Sequence, residues 1–285
     1  MFINIELMNI LFCIDKNYNK QCYVSIHSLI ESGNDLENIF IIHKQPNTFN
    51  KELIKNRSEI NIHLINFDEK VFNKLKNKAS DEVAHVTIAT YFRLFIDSLL
   101  PKNISDLIYI DADVISIKNF NQDSSDIFSK MNKKNYVLAA RTSGDMKGNS
   151  ENFQRLDLKN EKYFNAGVLF INLKLWREKE IENELVNMLF SKSFKYMDQD
   201  ILNKYFDGDY LDLPTSLNYF IPVETNYQKE VDKFVFDEAI LLHYVGYSKP
   251  WDKKYFKTKN STYYQNYYKD LFGNFHIKRR NLWSK

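Results

Sequence analysis

Short apolar runs alternate along the chain with longer segments in which apolar residues recur every three or four positions. The runs are typical of buried strands and the longer segments of helices. Strands are predicted at 9–14, 39–42, 60–67, 107–110, 136–140, 167–173 and 239–245, and helices at 18–32, 50–58, 86–100 and across 181–189. The alternation indicates an α/β fold, in which a mainly parallel, Rossmann-like sheet is covered by helices on both faces.

Polar residues follow several of the predicted strands. Sheets of this kind bind ligands at the carboxyl ends of their strands. We therefore expect one edge of the sheet to gather the residues that follow those strands, which are Asp15, Asp111, Asp113, Arg141 and Gly246.

The regular pattern stops between residues 141 and 163, where the sequence is rich in Gly, Ser, Asn and charged residues. A long loop beside the ligand edge is a candidate lid or acceptor loop. A mobile surface insertion is the alternative interpretation.

Composition narrows the class of protein. The chain has 285 residues, of which 44% are hydrophobic, so it can bury the core of one large α/β domain. It holds seven glycines and neither G-x-G-x-x-G nor G-x-x-x-x-G-K, which argues against a glycine-rich phosphate loop. The two cysteines, Cys13 and Cys22, make no disulfide framework, and residues 1–14 lack the basic start of a signal peptide, so a cytoplasmic protein is expected.

Charge is distributed unevenly along the chain. Residues 249–285 hold ten Lys and Arg against two Asp and Glu, a net charge of +8, whereas the rest has 29 basic and 35 acidic residues, a net charge of −6. We divide the chain into a main domain, 1–251, and a basic, aromatic tail, 252–285. The tail is interpreted either as a membrane-surface segment or as a packing helix with a solvated basic face. Nucleic acid is not an expected partner.

The tripeptide Asp111-Ala112-Asp113 directly follows the apolar run 107–110. In an extended chain residues i and i+2 face the same way, so the two carboxylates can reach one point. Such a pair can bind Mg²⁺ or Mn²⁺ and leave room for phosphate oxygens. Asp-x-Asp also occurs at 198/200 and 207/209, but only the first copy follows a buried strand. The alternative is a polar turn between a strand and a loop.

A second group of polar residues lies in HYVGYSKPW, residues 243–251. His243 ends a predicted strand and is either a core histidine or a third metal ligand, which would favour Mn²⁺ over Mg²⁺. Gly246 permits close approach of the backbone to a ligand. Lys249 is either an exposed lysine or a positive charge for a leaving diphosphate.

Two further positions offer groups for a nucleotide. Asp15, Asn17 and Tyr18 can supply hydrogen bonds and a ring to a nucleobase or ribose, although helix capping explains the two Asx residues as well. Arg93 either holds a sugar or diphosphate or makes a structural ion pair.

Two other positions suit a sugar. The tripeptide Asn165-Ala166-Gly167 permits close approach of a sugar to the backbone, or forms a turn before a strand. Asp198 and Gln199 can bind sugar hydroxyls or face the anomeric carbon, with a helix cap as the alternative for Asp198.

Together these segments resemble glycosyltransferase family 8, which includes bacterial lipopolysaccharide galactosyl- and glucosyltransferases and, more distantly, glycogenin. Five motifs between residues 9 and 251 carry the resemblance: TYFRL, LIYIDADV, YFNAGVLFINL, MDQDILN and HYVGYSKPW. The resemblance implies a GT-A fold for the main domain, a UDP-hexose donor, Mn²⁺ and retention of the anomeric configuration.

The resemblance also implies roles for individual residues. The implied metal ligands are Asp111, Asp113 and His243. The implied donor contacts are Cys13, Asp15, Asn17 and Tyr18 for uridine, Gly246 and Lys249 for the diphosphate, and Arg93, Ala112, Asn165, Ala166, Gly167, Asp198 and Gln199 around the sugar and the acid pair. Catalytic roles fall to Asp198, Gln199 and Lys249. Lys16 and Arg141 stand where relatives often have acids, which leaves the uracil contacts and the donor hexose open.

The function that this resemblance implies is transfer of a hexose from UDP-glucose or UDP-galactose to a glycan or lipid-linked glycan, in lipopolysaccharide or other cell-surface glycan synthesis. The enzyme would act in the cytoplasm or peripherally on the inner face of the plasma membrane. Front-face attack by the acceptor is preferred over double displacement, because neither Asp198 nor Gln199 is a convincing nucleophile. A nucleotidyl- or phosphoryltransferase, and a sugar-nucleotide-binding protein without turnover, are the alternatives.

Overall fold

A mixed sheet runs through the centre of the molecule. The structure is a computed structural model that describes residues 7–55, 60–76, 88–143, 146–160, 162–224 and 228–278. The strands are β1 (Met8–Ile14), β2 (Leu36–His43), β3 (Asn61–Asn66), β4 (Asp106–Ile110), β5 (Val114–Ser116), β6 (Leu138–Thr142), β7 (Phe164–Asn172), β8 (Leu211–Asp212), β9 (Tyr219–Phe220) and β10 (Leu241–His243).

Helices flank these strands. The α-helices are α1 (Asn19–Glu31), α2 (Glu52–Lys55), α3 (Glu69–Lys76), α4 (Ile96–Leu99), α5 (Asn121–Lys134), α6 (Met146–Leu156), α7 (Leu173–Glu178), α8 (Ile181–Ser191), α9 (Met197–Phe206), α10 (Gln228–Asp237) and α11 (Lys259–Phe272). Short 3₁₀ helices span Lys16–Tyr18, Pro46–Thr48, Ile88–Phe95 and Thr215–Asn218. In the described part of the chain, no helix combines the length and the apolar character that crossing a membrane requires.

The main sheet has the strand order β3-β2-β1-β4-β7-β6-β8 within the described residues. Strands β3, β2, β1 and β4 are parallel to one another, whereas β7 is antiparallel to both β4 and β6. The prediction of a mainly parallel α/β sheet is therefore confirmed. Because β7 runs the other way, its first residues lie at the edge where β1 and β4 end, and the Asp111 N–H donates to the Gly167 carbonyl at 2.8 Å.

A smaller sheet, of order β5-β10-β9, stands beside this edge. Strand β10 is antiparallel to β5, with His243 opposite Val114, and parallel to β9. Leu241 and Leu242 are fully buried, which draws the strand into the core. The Tyr244 N–H donates to the Asp113 carbonyl at 3.1 Å, so this sheet places His243 next to the Asp-x-Asp segment.

Two predicted elements differ from the structure. The predicted helix 86–100 is a 3₁₀ helix over Ile88–Phe95 followed by α4, and residues 86 and 87 lie outside the described ranges. Here Arg93 Nε donates to the Thr90 carbonyl at 3.1 Å, and this side-chain bond occupies a carbonyl that an α-helix would use. The segment 141–163, predicted to be a loop, contains α6. Its Phe153 and Leu156 are buried, a pair too short to give a readable helical period.

The tail predicted from residue 252 contains α11. Thr258 caps this helix by accepting from the Ser261 N–H, and Gly273 ends it with a φ of 72°. Tyr264 and Tyr268 are buried against a cluster that includes Trp251. The described part of the tail thus packs on the main domain, and the domain boundary at residue 251 stays a prediction.

Acid is expected to destabilise the fold through His276. The ring stacks on those of Trp251 and Tyr268, with centroids at 5.7 and 4.5 Å, and its Nδ1 is hydrogen-bonded to the Tyr264 hydroxyl at 2.8 Å. Burial lowers the pKa of His276 to about 3. Above about pH 6.5 the ring is neutral in both states, but at lower pH only the unfolded chain takes up the proton. Stability should therefore fall as pH falls from about 6.5 towards 4.

Urea unfolding at pH 7, 5.5 and 4.5 checks this expectation. In His276→Phe the loss of unfolding free energy with falling pH should be smaller by up to about 1.4 kcal/mol per pH unit. The comparison uses slopes, so a lower absolute stability of the variant does not affect it. Parallel pH profiles for the two proteins would contradict the assignment.

Candidate functional site

A cavity of about 590 Å³ opens between the main sheet and the smaller sheet. Thirteen of the sequence-predicted site residues line it: Cys13, Tyr18, Arg93, Asp111, Ala112, Asp113, Asn165, Ala166, Asp198, Gln199, His243, Gly246 and Lys249. They come from segments as far apart in sequence as β1 and β10. Of the five residues expected at the sheet edge, Asp111, Asp113 and Gly246 line the cavity and Asp15 and Arg141 do not.

The two acids and the histidine form the centre of this cavity. One ligand atom from each of Asp111, Asp113 and His243 lies within 4.8 Å of the others. His243 Nε2 is 3.4 Å from Asp113 Oδ1, and Lys249 Nζ is 2.6 Å from Asp113 Oδ2. Burial opposes ionisation of Asp113, but the charges of Lys249 and His243 outweigh it and hold the pKa of this carboxyl well below its usual range.

Arg93 holds the other acid in place. Its Nη2 is 2.8 Å from Asp111 Oδ1, which also accepts a hydrogen bond from the Tyr109 hydroxyl. The guanidinium lies 3.8 Å from the centroid of the Tyr109 ring and donates to the Ala166 carbonyl. Arg93 thus makes the structural ion pair that was one of its two predicted roles. It is 4% exposed and lies in the cavity wall.

The position of a ring proton on His243 follows from one backbone N–H. Asn165 Oδ1 accepts from the Gly167 N–H at 2.9 Å, so the group facing it at 3.1 Å must be the Nδ2 of Asn218. The Asn218 Oδ1 then faces His243 Nδ1 at 2.9 Å, and this ring nitrogen must carry a proton.

This arrangement tests whether the residues fit a metal ion. With Nδ1 protonated, Nε2 is the ring nitrogen of His243 that can bind a metal ion, and it lies 3.4 Å from Asp113 Oδ1. A metal ion between Nε2 and Asp113 Oδ1 would be within reach of both atoms. Two carboxylates and one imidazole are a donor set that suits Mn²⁺. The group therefore fits the divalent ion that the resemblance implies.

Asn218 is a site residue that sequence reasoning missed. It is fully buried in the 3₁₀ helix Thr215–Asn218, and its side chain connects Asn165 to His243. Nothing in the local sequence distinguishes it from other asparagines in an Asn-rich chain. Such a partner fixes the tautomer and direction of a metal-binding imidazole.

Asn218→Ala is expected to weaken Mn²⁺ binding by about 10- to 100-fold, because the imidazole loses its orienting acceptor. Calorimetric titration with Mn²⁺ measures the change. Asn132→Ala is the matched control, since it removes another Asn–Asn hydrogen bond, of 2.7 Å to Asn172, at the far end of β7. Equal Mn²⁺ affinity in the native protein and Asn218→Ala would contradict the assignment.

The acid of the MDQD motif lies beside Arg93. Asp198 Oδ2 is 3.1 Å from Arg93 Nε, and the Thr90 hydroxyl donates to Asp198 Oδ1. Burial raises the pKa of Asp198 to about 6, against the opposing effects of Arg93 and Thr90. The structure places Asp198 in the first turn of α9, whereas Tyr196 is the residue at the N-cap.

The neighbouring amide is tightly held. Gln199 Oε1 accepts from the Ala166 N–H at 3.0 Å and from Asn165 Nδ2 at 3.3 Å. Its Nε2 donates to the Tyr163 hydroxyl at 3.0 Å. Gln199 also lines the cavity, so its amide stands at the cavity wall in a defined orientation.

Four predicted residues do not line the cavity. Asp15 Oδ1 accepts from the Asn17 N–H at 2.8 Å, which is the helix-capping arrangement. Asn17 is exposed, and its carbonyl accepts from Lys278 Nζ at 3.1 Å. Arg141 lies behind the wall and donates to the Asn218 carbonyl at 2.6 Å. Gly167 backs directly onto His243: a Cβ placed on it would lie 2.1 Å from His243 Cε1.

The cavity rim includes residues that the motifs did not single out. They are Ile14, Thr90, Lys195, Tyr196, Met197, Val245 and Tyr247. Most of them are neighbours of the motif residues in sequence, and that adjacency is the signal that could have found them. Lys195 Nζ is paired with Glu151 of α6 at 2.8 Å, so α6 contributes to the surroundings of the rim.

Known structures identify the class of this fold. The galactosyltransferase LgtC, solved with donor and acceptor sugar analogs, matches with a TM-score of 0.74 over 93% of this chain and 96% of that chain, at 20% identity. The fold is the GT-A fold of glycosyltransferases. Residues 9–255 match the model of glycosyl transferase family 8, and the chain belongs to that family.

Curated relatives agree with this assignment. A lipopolysaccharide 1,2-glucosyltransferase of Escherichia coli K12 is 28% identical over 263 residues, which cover 87% of this chain and 74% of that protein. A lipopolysaccharide 1,3-galactosyltransferase of Salmonella typhimurium is 27% identical over 260 residues, with 86% and 73% covered. The resemblance inferred from the five motifs is confirmed, and the protein is a glycosyltransferase.

Proposed function

We propose that this protein transfers glucose or galactose from UDP-glucose or UDP-galactose to a glycan, with retention of the anomeric configuration. The observation that carries the proposal is a cluster of Asp111, Asp113 and His243 in a cavity of about 590 Å³. Lys249 is paired with Asp113 beside this cluster. A diphosphate needs several positive charges, and this chain has no glycine-rich loop to supply backbone donors instead.

We assign the divalent ion to Asp111, Asp113 and His243, with Mn²⁺ favoured by the imidazole and Mg²⁺ as the alternative. When bound, such an ion supplies positive charge that stabilises a diphosphate leaving group.

The chain's own residues supply the remaining contacts. Lys249 Nζ forms an ion pair with Asp113 at the cavity wall and is assigned to the diphosphate. Gly246 has a φ of +78° with no atom within 4 Å of an added Cβ, so its backbone is accessible to the same group. Tyr18, which lines the cavity near Cys13, is assigned to uridine.

The sugar side of the cavity is formed by amide and carboxylate groups. We assign Asn165, Asp198 and Gln199 to the hexose. Arg93 pairs with both Asp111 and Asp198 and fixes their relative positions. These groups orient the sugar and replace water around the anomeric carbon as the bond to the diphosphate breaks.

Retention is assigned to front-face attack by the acceptor hydroxyl, with the leaving phosphate oxygen taking its proton. The two oxygens of Asp198 face Thr90 and Arg93, and this carboxylate is 3% exposed. A double displacement would require this group to leave its ion pair and form a bond to carbon. A glycosyl–Asp198 adduct trapped and identified by mass spectrometry would overturn the assignment.

We propose a glycan or lipid-linked glycan as the acceptor, in lipopolysaccharide or other cell-surface glycan synthesis. The support is the family and the names of the two relatives, which act on lipopolysaccharide. Such a role places the protein in the cytoplasm, at the inner face of the plasma membrane.

A patch on the C-terminal segment supports peripheral contact with an anionic membrane. Phe275 and Ile277 are 48% and 47% exposed, Phe256 lies 6.0 Å from Phe275, and the ammonium groups of Lys257 and Lys269 lie within 6 Å of these rings. Exposed aromatic and basic residues together bind anionic lipid surfaces.

Removing residues 263–285 would not test this contact cleanly, because Tyr264 and Tyr268 belong to the core. The double variant Phe275→Ser, Ile277→Ser should instead bind vesicles of phosphatidylglycerol and phosphatidylcholine about tenfold more weakly in a sedimentation assay. Phe236→Ser, at a residue 83% exposed elsewhere, is the control. Equal binding by all three proteins would remove the membrane contact from the proposal.

The donor and reaction class are tested by product analysis. The native protein is incubated with Mn²⁺ and UDP-glucose, UDP-galactose, GDP-mannose or UTP, and the products are separated by chromatography. Release of UDP from one of the two UDP-hexoses is expected. Release of pyrophosphate would instead indicate a nucleotidyltransferase. Calorimetric binding of UDP without any turnover of the UDP-hexoses, with lipopolysaccharide core present as acceptor, would indicate a binding protein.

A further inference from the structure

The first turn of α9 carries an acid that the proposed mechanism does not use. Asp200 is fully buried. Its Oδ1 accepts from the Tyr163 hydroxyl at 2.8 Å and from Arg155 Nη2 at 2.9 Å. Its Oδ2 accepts from the Tyr196 N–H at 2.8 Å and from Arg155 Nη1 at 2.5 Å. Arg155 thus forms a bidentate ion pair with the Asp200 carboxylate.

Tyr163 connects this acid to the cavity wall. A carboxylate only accepts hydrogen bonds, so the phenol proton of Tyr163 must point to Asp200. The phenol oxygen is then available as an acceptor for Gln199 Nε2, which lies 3.0 Å away. Burial raises the pKa of Tyr163, and the charge of Asp200 adds to this effect, so the phenol keeps its proton.

The amide of Gln199 is consequently held at both ends. Its Oε1 must face the Ala166 N–H, which can only donate, and its Nε2 must face the Tyr163 oxygen. In the rotated amide, Nε2 would face the Ala166 N–H, so that two donors would oppose each other. Oε1 would face the Tyr163 oxygen, whose proton points to Asp200, and would receive no hydrogen bond. The cost of such unpaired buried groups excludes the rotated form.

We propose that Tyr163, Asp200 and Arg155 are positioning residues for the transfer reaction. They fix the amide of Gln199 in one orientation at the sugar side of the cavity. Because Arg155 belongs to α6, that orientation depends on the position of α6. The proposal rests on the proposed function, in which Gln199 faces the sugar. The helix α6 lies in the segment 141–163, which the sequence pattern predicted to be a loop.

The test compares two tyrosine variants. Tyr163→Phe removes the hydroxyl that faces Gln199 and Asp200, and kcat for UDP-hexose turnover should fall about tenfold while the donor KM stays within about twofold. Tyr210→Phe is the matched control, because its buried hydroxyl bonds to Thr142 at 2.7 Å and has no link to Gln199. Its kcat should equal that of the native protein. Thermal unfolding of both variants checks that they are folded.

A second readout needs no turnover. The side-chain amide signals of Gln199 in an ¹⁵N spectrum are assigned by their absence from Gln199→Glu. In Tyr163→Phe they should shift towards the position of a free amide, and in Tyr210→Phe they should stay in place. A native protein without transferase activity would defeat the proposed function alone. Unshifted Gln199 signals in Tyr163→Phe, or equal losses of kcat in the two variants, would overturn the positioning role.

Discussion

Asp113→Asn is expected to lower Mn²⁺-dependent UDP release by about 1000-fold or more. The substitution keeps the shape of the side chain but removes the charge that Lys249 and His243 face at 2.6 and 3.4 Å. An amide is a poorer ligand than a carboxylate, and a metal ion contributes several kcal/mol to the stabilisation of a leaving diphosphate. Initial rates with saturating UDP-hexose, together with calorimetric Mn²⁺ titration, measure both parts of the effect.

Asp209→Asn is the matched control for this variant. It makes the same change in another Asp-x-Asp copy, at an exposed residue that does not line the cavity. Its turnover and Mn²⁺ affinity should match those of the native protein. If Asp113→Asn kept more than about a tenth of the native rate, the assignment of Asp113 as a metal ligand would be wrong.

Gly167→Ala is expected to have the second-largest effect. The added Cβ would lie 2.1 Å from Cε1 and 2.7 Å from Nδ1 of His243, and 3.0 Å from Asn165 Oδ1. His243 is 3% exposed and bonded to Asn218, so it can leave this space only by breaking that bond. We expect the rate to fall about 100-fold and the free energy of unfolding to fall by about 1–3 kcal/mol, as for other overpacked sites.

The control for Gly167→Ala must separate lost stability from a displaced histidine. Gly273→Ala places a side chain at a φ of +72°, where nothing lies within 4 Å, so it should cost about 1 kcal/mol of stability through the backbone alone. Its Mn²⁺ affinity should be unchanged. A Gly167→Ala protein that binds Mn²⁺ as tightly as Gly273→Ala would show that the ring of His243 adapts.

Much of the fold follows from the apolar pattern. The runs that became β1, β2, β4 and β7 are continuous because both faces of these strands are covered, and the pattern found each of them. The pattern carries no information on direction, so it could not show that β7 is antiparallel. It also missed α6, whose described buried residues are few.

The site was predicted unevenly for similar physical reasons. Asp111 and Asp113 follow a buried strand and could be recognised locally, whereas His243 joins them only through pairing of β10 with β5. Asn218 and Tyr163 act through hydrogen bonds to other side chains, and such partners leave no trace in spacing. The roles assigned to the individual site residues remain predictions that the variants above test.

The dependence of UDP release on a divalent ion tests the proposed metal site and the proposed reaction together. The native protein is freed of metal with EDTA and dialysed, and UDP release from UDP-glucose and UDP-galactose is followed as Mn²⁺ is added back. We expect negligible release without metal and a saturable rise of at least about 100-fold with Mn²⁺ for one of the two donors. UDP release that is equally fast in EDTA would contradict the metal-dependent site at Asp111, Asp113 and His243.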